Sequence, residues 1–376
     1  MQKMWGANLS ASEFGQNNDS GNLPGKINQD YFYSTILPEY QYYINKGLKL
    51  IRVPIMEERL LPSLTGTLST PDVDGLTSML NMAEQVGAKV IIDLHNFSRY
   101  YGTPLAIGDT TLASFWSKLV PLYKDHPALF GYGIMNEPNT LPGGASEWPP
   151  IVQSVVNAIR EIDTNTYILI PGYGWQSAEN WVANNANLII KDPSNKVIYD
   201  AHQYFDADGS GTYPNNEQPP ADLNIGVERI TPFINWLKQN NFQGILTEIG
   251  IPTTVPAWFP VLDNVLNLIN TTDELVGTTI WSASSWWGSY NLSLEPYDSP
   301  TTFTQDKPVM STITKYSLAT PTPVTPTPVP PVIPTPTPTS TTPPPPTIPA
   351  FSITGNVSIT SDGKGNVNFS LTSKAS

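Results

Sequence analysis

The sequence predicts an α/β protein whose main body is a (β/α)8 TIM barrel, on three observations: eight nearly continuous apolar runs, helical spacing between them, and polar residues closing nearly every run. A strand covered on both faces meets water on neither, so it reads as an unbroken apolar run rather than an alternation. Parallel neighbours need a crossover, and the chain between successive runs is long enough for a helix and two loops. Units that close on themselves bring their polar strand ends to one mouth. An open doubly wound sheet is the competing architecture, but it would put a ligand at one switch point and leave the other polar ends unexplained.

In chain order the expected strands are Met4 to Asn8, Leu48 to Ile55, Ala88 to His95, Leu129 to Glu137, Tyr167 to Pro171, Val197 to His202, Gly244 to Glu248 and Val276 to Ser282. Between them, Thr77 to Val86, Leu112 to Tyr123, Pro149 to Ile162 and Val227 to Asn240 repeat their apolar residues at helical spacing. The fourth strand is the most informative. Its segment GYGIMNEP, Gly131 to Pro138, is apolar at Tyr132, Ile134 and Met135, delivers Asn136 and Glu137 at its end, and is stopped by Pro138. A carboxylate held there between an amide and a proline suggests a group fixed for chemistry, the bland alternative being a surface Glu that caps the next segment.

The barrel is expected to occupy residues 1–318. Residues 319–350 are Pro and Thr with scattered Val and Ile, which cannot bury a face and read as a disordered, extended tether of about 3.1 Å per residue. Beyond it, residues 351–376 alternate apolar and polar around Asp362-Gly363-Lys364-Gly365, the pattern of a β-hairpin. A segment that short cannot bury its own core, so it reads as the truncated start of a β-rich module.

Composition narrows the partners. A net charge of −13 would repel nucleic acid and anionic membranes, leaving a neutral ligand as the natural partner. The 10 Trp, 17 Tyr and 12 Phe supply flat apolar faces of the kind that suit sugar rings. No run is long enough to span a bilayer, and with no cysteine the redox compartment stays open. Met1 leads into strand-like sequence without a charged and apolar leader, so any export signal is expected to be missing here.

The polar strand ends are Arg52 in IRVPI, His95 in IIDLHN, Asn136 and Glu137 in MNEP, His202 and Tyr204 in DAHQYF, Glu248 in LTEIG and Trp281 in TIWSASSWWG. Glu137 and Glu248, on the fourth and seventh strands, would face each other across the mouth. Two such carboxyls suit glycoside hydrolysis: about 5 to 5.5 Å apart they retain configuration through a covalent intermediate, and farther apart they invert it. Arg52 and Tyr204, if they reach Glu248, suit it to be the nucleophile. Glu137, flanked by apolar sequence and facing another negative charge, suits the acid and then the base. Asn136 would hold the hydroxyl next to the reacting carbon, and Trp281 would floor that sugar's subsite. Trp175 and Trp286, in loops after the fifth and eighth strands, are expected as further platforms, while Trp181 and Trp287 read equally as packing. His126 reads as structural.

The set RVP, DLHN, NEP, HQY, TEIG and Trp281, in that order, resembles glycoside hydrolase family 5, the retaining cellulase family, over residues 4 to about 317. The resemblance implies Glu137 as acid/base and Glu248 as nucleophile, with Arg52, His95, Asn136, His202, Tyr204 and Trp281 at the remaining active-site positions. GANLSASEFG near the start and HQYFDADGSGT at 202–212 look like the family's endo-β-1,4-glucanase branch. Tyr173 in GYGW departs from the Asn that branch implies. The expected activity is a secreted endo-β-1,4-glucanase, active on cellulose-type β-glucan as a monomer without cofactor. Competing readings are a β-mannanase, xyloglucanase or lichenase on the same scaffold, or a non-catalytic carbohydrate-binding scaffold. Asp206, Asp208, Ser210, Gly211 and Glu217 fall at calcium-loop positions, but Pro214 interrupts the loop and strands replace the flanking helices, so no metal is expected.

Overall fold

The apolar runs fold as eight strands: β1 (Met4–Leu9), β2 (Leu50–Ile55), β3 (Lys89–Leu94), β4 (Leu129–Gly133), β5 (Tyr167–Pro171), β6 (Val197–Tyr204), β7 (Gly244–Gly250) and β8 (Leu275–Ala283). The computed structural model describes residues 3–15, 23–214, 218–319, 357–361 and 367–371. All eight strands pair in parallel with their sequence neighbours, and β8 returns to β1 to close the barrel. A helix follows each strand: α1 (Leu37–Asn45), α2 (Thr70–Val86), α3 (Thr111–Tyr123), α4 (Trp148–Arg160), the short α5 (Trp181–Asn185), α6 (Ile225–Asn240), α7 (Phe259–Thr271) and α8 (Met310–Ser317). α2 starts earlier than its apolar spacing suggests, because Pro71 presets the first turn and Asp72 sits at its positive end.

The closing seam depends on glycine. A Cβ on Gly6 would lie 1.8 Å from the Leu50 carbonyl oxygen, and one on Gly277 would lie 1.9 Å from that of Met4, so larger residues would push β1 away from both neighbours.

Strand periodicity then sorts the side chains. One face of each strand packs outward on the helices in the main core, which includes Ile51, Val53, Ile92 and Leu246. The opposite face begins with a separate apolar cluster of Leu50, Ile91, Leu169, Ile198, Ile245 and Val276, which plugs the barrel. Two residues further along these strands stand Arg52, Asp93, Asp200 and Thr247, all buried. Polar residues in the barrel interior thus begin one layer above a greasy floor.

Two local irregularities aim the key carboxyls. On β7 the register steps between Ala201↔Leu246 and His202↔Glu248, leaving Thr247 as an extra residue; the pairing with β8 steps over the same stretch. Such a bulge re-aims a side chain, and it lets Thr247 and Glu248 both serve the interior while Ile249 returns to the outer core. The expectation that β4 runs to Glu137 is corrected. The strand ends at Gly133; the Asn136 N–H still donates to the Leu94 carbonyl at 2.6 Å, and the chain then turns at Glu137 with φ of 41°. Non-glycine residues rarely adopt that left-handed conformation, so the backbone is bent to present this side chain.

The chain divides into two units, Met1–Pro321 and Thr322–Ser376. In the second, Val357–Ser361 and Val367–Leu371 form the expected antiparallel pair, in register Val357↔Leu371. The expected turn and nearly all of the tether lie outside the described residues.

Candidate active site

Arg52 is the hub. Fully buried on β2, it donates from Nη1 to Asn8 Oδ1 at 2.8 Å and Glu248 Oε1 at 2.6 Å, and from Nη2 to Asn136 Oδ1 at 2.6 Å. Nη2 also lies 2.9 Å from Asp93 Oδ1. A buried guanidinium is tolerated only with such partners, and removing one leaves an uncompensated charge. Asp93 in turn holds His95 Nδ1 at 2.8 Å, which leaves His95 Nε2 to accept from the Asn136 amide at 3.2 Å. Asn136 is thereby fixed at both ends, its oxygen on Arg52 and its nitrogen on His95.

Glu137 and Glu248 meet over His202. Its Nδ1 is 2.9 Å from Glu137 Oε1 and 3.6 Å from Glu248 Oε2, and donor atoms of all three residues lie within 4.8 Å of one another. The Tyr204 hydroxyl donates to Glu248 Oε2 at 2.8 Å, so both Glu248 oxygens accept from fixed donors, the pattern of a charged carboxylate. Glu137 is held instead through its backbone, whose N–H donates to Gln176 Oε1 at 2.6 Å. Burial, and then the facing charge of Glu248, hold the Glu137 carboxyl well above the usual carboxylate range. Burial, with Arg52 and His95 adding, pushes His202 well below the usual imidazole range. Burial and the Glu248 charge raise the Tyr204 phenol, so it stays a donor.

Glu137 is therefore biased towards its neutral form, while both oxygens of Glu248 face fixed donors. A carboxylate oxygen of each lies within 4.8 Å of one on the other, nearer than the roughly 6.5 Å or more that admits a water for inversion. The trio Glu137, His202 and Glu248 also has a donor set compatible with a cation. Arg52 already supplies the positive charge beside Glu248, however, so the arrangement reads as paired carboxyl chemistry. In the loop with calcium-like spacing, the Asp206 oxygens accept from the amides of Gly211 at 3.0 Å, Thr212 at 3.0 Å and Tyr213 at 3.2 Å. That carboxylate closes its own loop; Glu217 lies outside the described residues.

The mouth opens into a groove of about 420 Å³ lined by Glu137, Trp175, Ser177, Asn180, His202, Tyr204 and Ser210 among others. A second groove of about 340 Å³, with Met56, Phe97, Arg99 and Asn139, meets the first at Trp175, which is 55% exposed. Trp281 stacks on His95 with ring centroids 5.7 Å apart and donates its Nε1–H to the Tyr290 hydroxyl at 3.2 Å. Trp286 stands on the β8–α8 loop, stacked on Phe32 at 3.9 Å, and lines neither groove. Trp181 is fully buried packing and Trp287 stacks on Tyr290 at 4.4 Å. His126 holds Asn81 at 3.1 Å on the outer surface, away from the site. Tyr173 braces the loop after β4, its hydroxyl accepting the Leu141 N–H at 3.2 Å.

Seven predicted residues, Arg52, His95, Asn136, Glu137, His202, Tyr204 and Glu248, are thus brought together in one set, Glu137 and His202 joining the others by hydrogen bonds through Thr247 and Asn8. Sequence reasoning missed Asn8, Asp93, Gln176, Asp200 and Thr247. A signal existed for Asp93 and Asp200: each is a carboxylate within an apolar run, two residues before a histidine on the same strand face. Gln176 carried none, being a buried residue in a loop with φ of 51°.

Residues 11–286 match the family described as cellulase (glycosyl hydrolase family 5). The chain is 34% identical over 304 residues to the probable endo-beta-1,4-glucanase B of Aspergillus niger, spanning 78% of this chain and 85% of that protein. Among solved structures, Pseudomonas stutzeri endoglucanase Cel5A in complex with cellobiose is similar at a TM-score of 0.76 and 38% identity, over 84% of this chain and 92% of that one. The endo-beta-1,4-glucanase Xac0029 of Xanthomonas axonopodis pv. citri matches at a TM-score of 0.75 and 31% identity, over 84% and 98%.

Proposed function

The chain belongs to the cellulases of glycosyl hydrolase family 5, and from that premise we propose that it is a retaining endo-β-1,4-glucanase with Glu137 and Glu248 as its working carboxyls. The observation that carries the reading is their pairing: two carboxyls sharing His202, only one of them bound to arginine. Glu248, charged and aimed by Arg52 and Tyr204, attacks the anomeric carbon while Glu137 gives its proton to the departing glycosidic oxygen. The resulting glycosyl ester on Glu248 is then hydrolysed by a water whose proton Glu137 takes back. Asn136, held rigid by Arg52 and His95, meets the hydroxyl beside the reacting carbon; Trp281 lies under that sugar, and Trp175 serves the rings where the two grooves meet.

Grooves that continue on both sides of Trp175 suit an internal stretch of chain, which favours endo cleavage over trimming from an end. Such a polymer does not cross a membrane, so the enzyme is expected to meet it outside the cell, and no described helix is long and apolar enough to cross one. Residues 319–350 would tether this body to a β-rich module beginning at residue 351. Reducing-sugar release from carboxymethylcellulose, mannan, xyloglucan and mixed-linkage glucan tests the specificity. Carboxymethylcellulose is expected to be cleaved, with a steep early loss of viscosity; hydrolysis of mannan alone would overturn the reading in favour of a β-mannanase.

A further inference from the structure

Behind the working carboxyls, a buried chain of polar groups runs from His202, which lines the groove, to Thr247 and Asp200, which do not. His202 Nε2 lies 3.0 Å from Thr247 Oγ1, and the Thr247 hydroxyl lies 2.7 and 2.8 Å from the two oxygens of Asp200. The order of these contacts dictates where the hydrogens sit. Asp200 as a carboxylate only accepts, so the single Thr247 hydrogen goes to it. The Thr247 oxygen is then left with lone pairs for His202, and His202 must bring its hydrogen to Nε2. A neutral imidazole with its hydrogen on Nε2 has a bare Nδ1, and Nδ1 is the atom 2.9 Å from Glu137 Oε1.

We propose that Thr247 and Asp200 are positioning residues for the acid: they lock His202 with its hydrogen on Nε2, so that its bare Nδ1 receives the Glu137 O–H and keeps that carboxyl protonated and aimed. The inference rests on the retaining reading above. No proton leaves Glu137 through this chain; the lock works by what it offers each state. With Glu137 protonated, Nδ1 accepts a hydrogen bond. Once that proton has gone to the leaving group, two lone pairs face each other across the same gap, which raises the cost of the charged form and drives Glu137 to recapture a proton from the incoming water.

The charged neighbours pull in both directions. Glu137 faces Glu248 from β7, Arg52 from β2 and Asp93 from β3, with His202 on β6. His202 is faced by Arg52 and His95, whose electrostatic effects both disfavour a second proton on its ring, and by the Glu248 carboxylate 3.6 Å from Nδ1, which favours a hydrogen there and which the Thr247 acceptor at 3.0 Å from Nε2 must outweigh. Asp200 is faced by Arg52, which favours its charge, and by Asp93, which opposes it; burial raises its carboxyl to about 7, so the lock is firmest above that pH.

Thr247→Val, close in shape but without the hydroxyl, tests it against Thr247→Ser, which keeps the hydroxyl. Without an acceptor at Nε2, His202 is free to place its hydrogen on Nδ1 and donate to the Glu137 carboxylate. The expected result is that the alkaline limb of kcat/KM on carboxymethylcellulose moves down by about one pH unit in the valine variant. The serine variant should restore it, and an aryl cellobioside with a good leaving group should be spared, since its departure needs little acid. Nitrogen NMR of the chain's 3 histidines reads the tautomer directly, with hydrogen on Nε2 of His202 expected in the native chain and lost in Thr247→Val. The proposal is overturned if the limb stays put, if serine fails to rescue, if both substrates lose equally, or if His202 carries its hydrogen on Nδ1 in the native protein. Native protein inert on carboxymethylcellulose would overturn the parent reading with it, whereas an active native enzyme with an unmoved limb removes only the lock.

Discussion

Two of the close carboxyl pairs among the described residues invite comparison, and only one of these two is built for chemistry. At the barrel mouth, Glu137 and Glu248 share His202, and Glu137 and His202 line a groove. Elsewhere, Glu39 on α1 meets Glu295, from the loop after β8, through Ser285, whose hydroxyl is 2.9 Å from Glu39 Oε1 and 3.0 Å from Glu295 Oε1. The Tyr43 hydroxyl donates to Glu295 at 2.6 Å, Ser34 donates to Glu39, and the backbone N–H of Ser285 donates to Glu39 at 2.8 Å. In both pairs burial and a facing carboxyl raise one member: Glu137 at the mouth, and Glu39 here, to about 8. Two differences separate them. The mouth pair has Arg52 to settle which carboxyl is charged, whereas neither Glu39 nor Glu295 has an ion-pair partner among the described residues. Glu39 is also fully buried, so no substrate reaches it. A perturbed carboxyl pair therefore marks stored electrostatic energy; an assigned charge and an open path turn it into a catalyst.

The hardest test of that distinction is to remove each acid in turn. Glu248→Gln is expected to abolish turnover of every substrate, a loss on the order of 10⁴-fold or more, because no nucleophile remains. Glu137→Gln should cost about 10²- to 10⁴-fold on polymer while keeping partial activity on aryl glycosides that leave without protonation. Steady-state kinetics on both substrate types reads the split, with circular dichroism to check folding. Full polymer activity in Glu137→Gln would remove its role as acid.

Glu39→Gln should do the reverse, leaving kinetics near native and changing the pH dependence of stability. Glu39 is raised from 4.5 to about 8, so the folded chain keeps a proton that the unfolded chain releases above its own lower value. That stabilisation is complete below about pH 4.5 and is lost as pH rises through about 8. Native Tm is expected to fall across this window, and the glutamine variant, which has no proton to lose there, should show a shallower slope by calorimetry. Equal slopes would mean that the pair carries no shared proton. A loss of turnover comparable to Glu248→Gln would erase the contrast between the two pairs.

Most of the barrel was legible in the sequence because strands buried on both faces leave an unmistakable apolar run, and the polar residue ending each run is visible against it. What stayed hidden depends on departures from period two. Glu137 reads as a strand end, yet it lies past the strand on a left-handed turn. Thr247 and Glu248 share the interior only because of the β7 bulge, which alternation alone would deny. Asn8 and Gln176 act through tertiary contacts to Arg52 and Glu137 that no local pattern encodes. Trp175 and Trp286 look alike as loop aromatics, and only the fold separates the one in the groove from the one on Phe32.

Trp286 offers the finest resolution of the comparison, because it rides on the loop that the inner pair clamps. The Ser284 N–H donates to Glu295 at 3.2 Å and the Ser285 N–H to Glu39, immediately before Trp286, a residue 43% exposed whose ring is nearly parallel to Phe32 at 8°. A ring so placed can offer a sugar a stacking face worth about 0.5 to 1.5 kcal/mol, but it lies outside both grooves. Trp286→Ala is therefore expected to raise KM for long cello-oligosaccharides about 2- to 10-fold and to leave kcat within about twofold, since binding far from the bond is spent equally in ground and transition states. Short substrates should show no change at all. A fall in kcat instead would mean that the loop transmits strain to the mouth, and the inner pair would then belong to the catalytic apparatus after all.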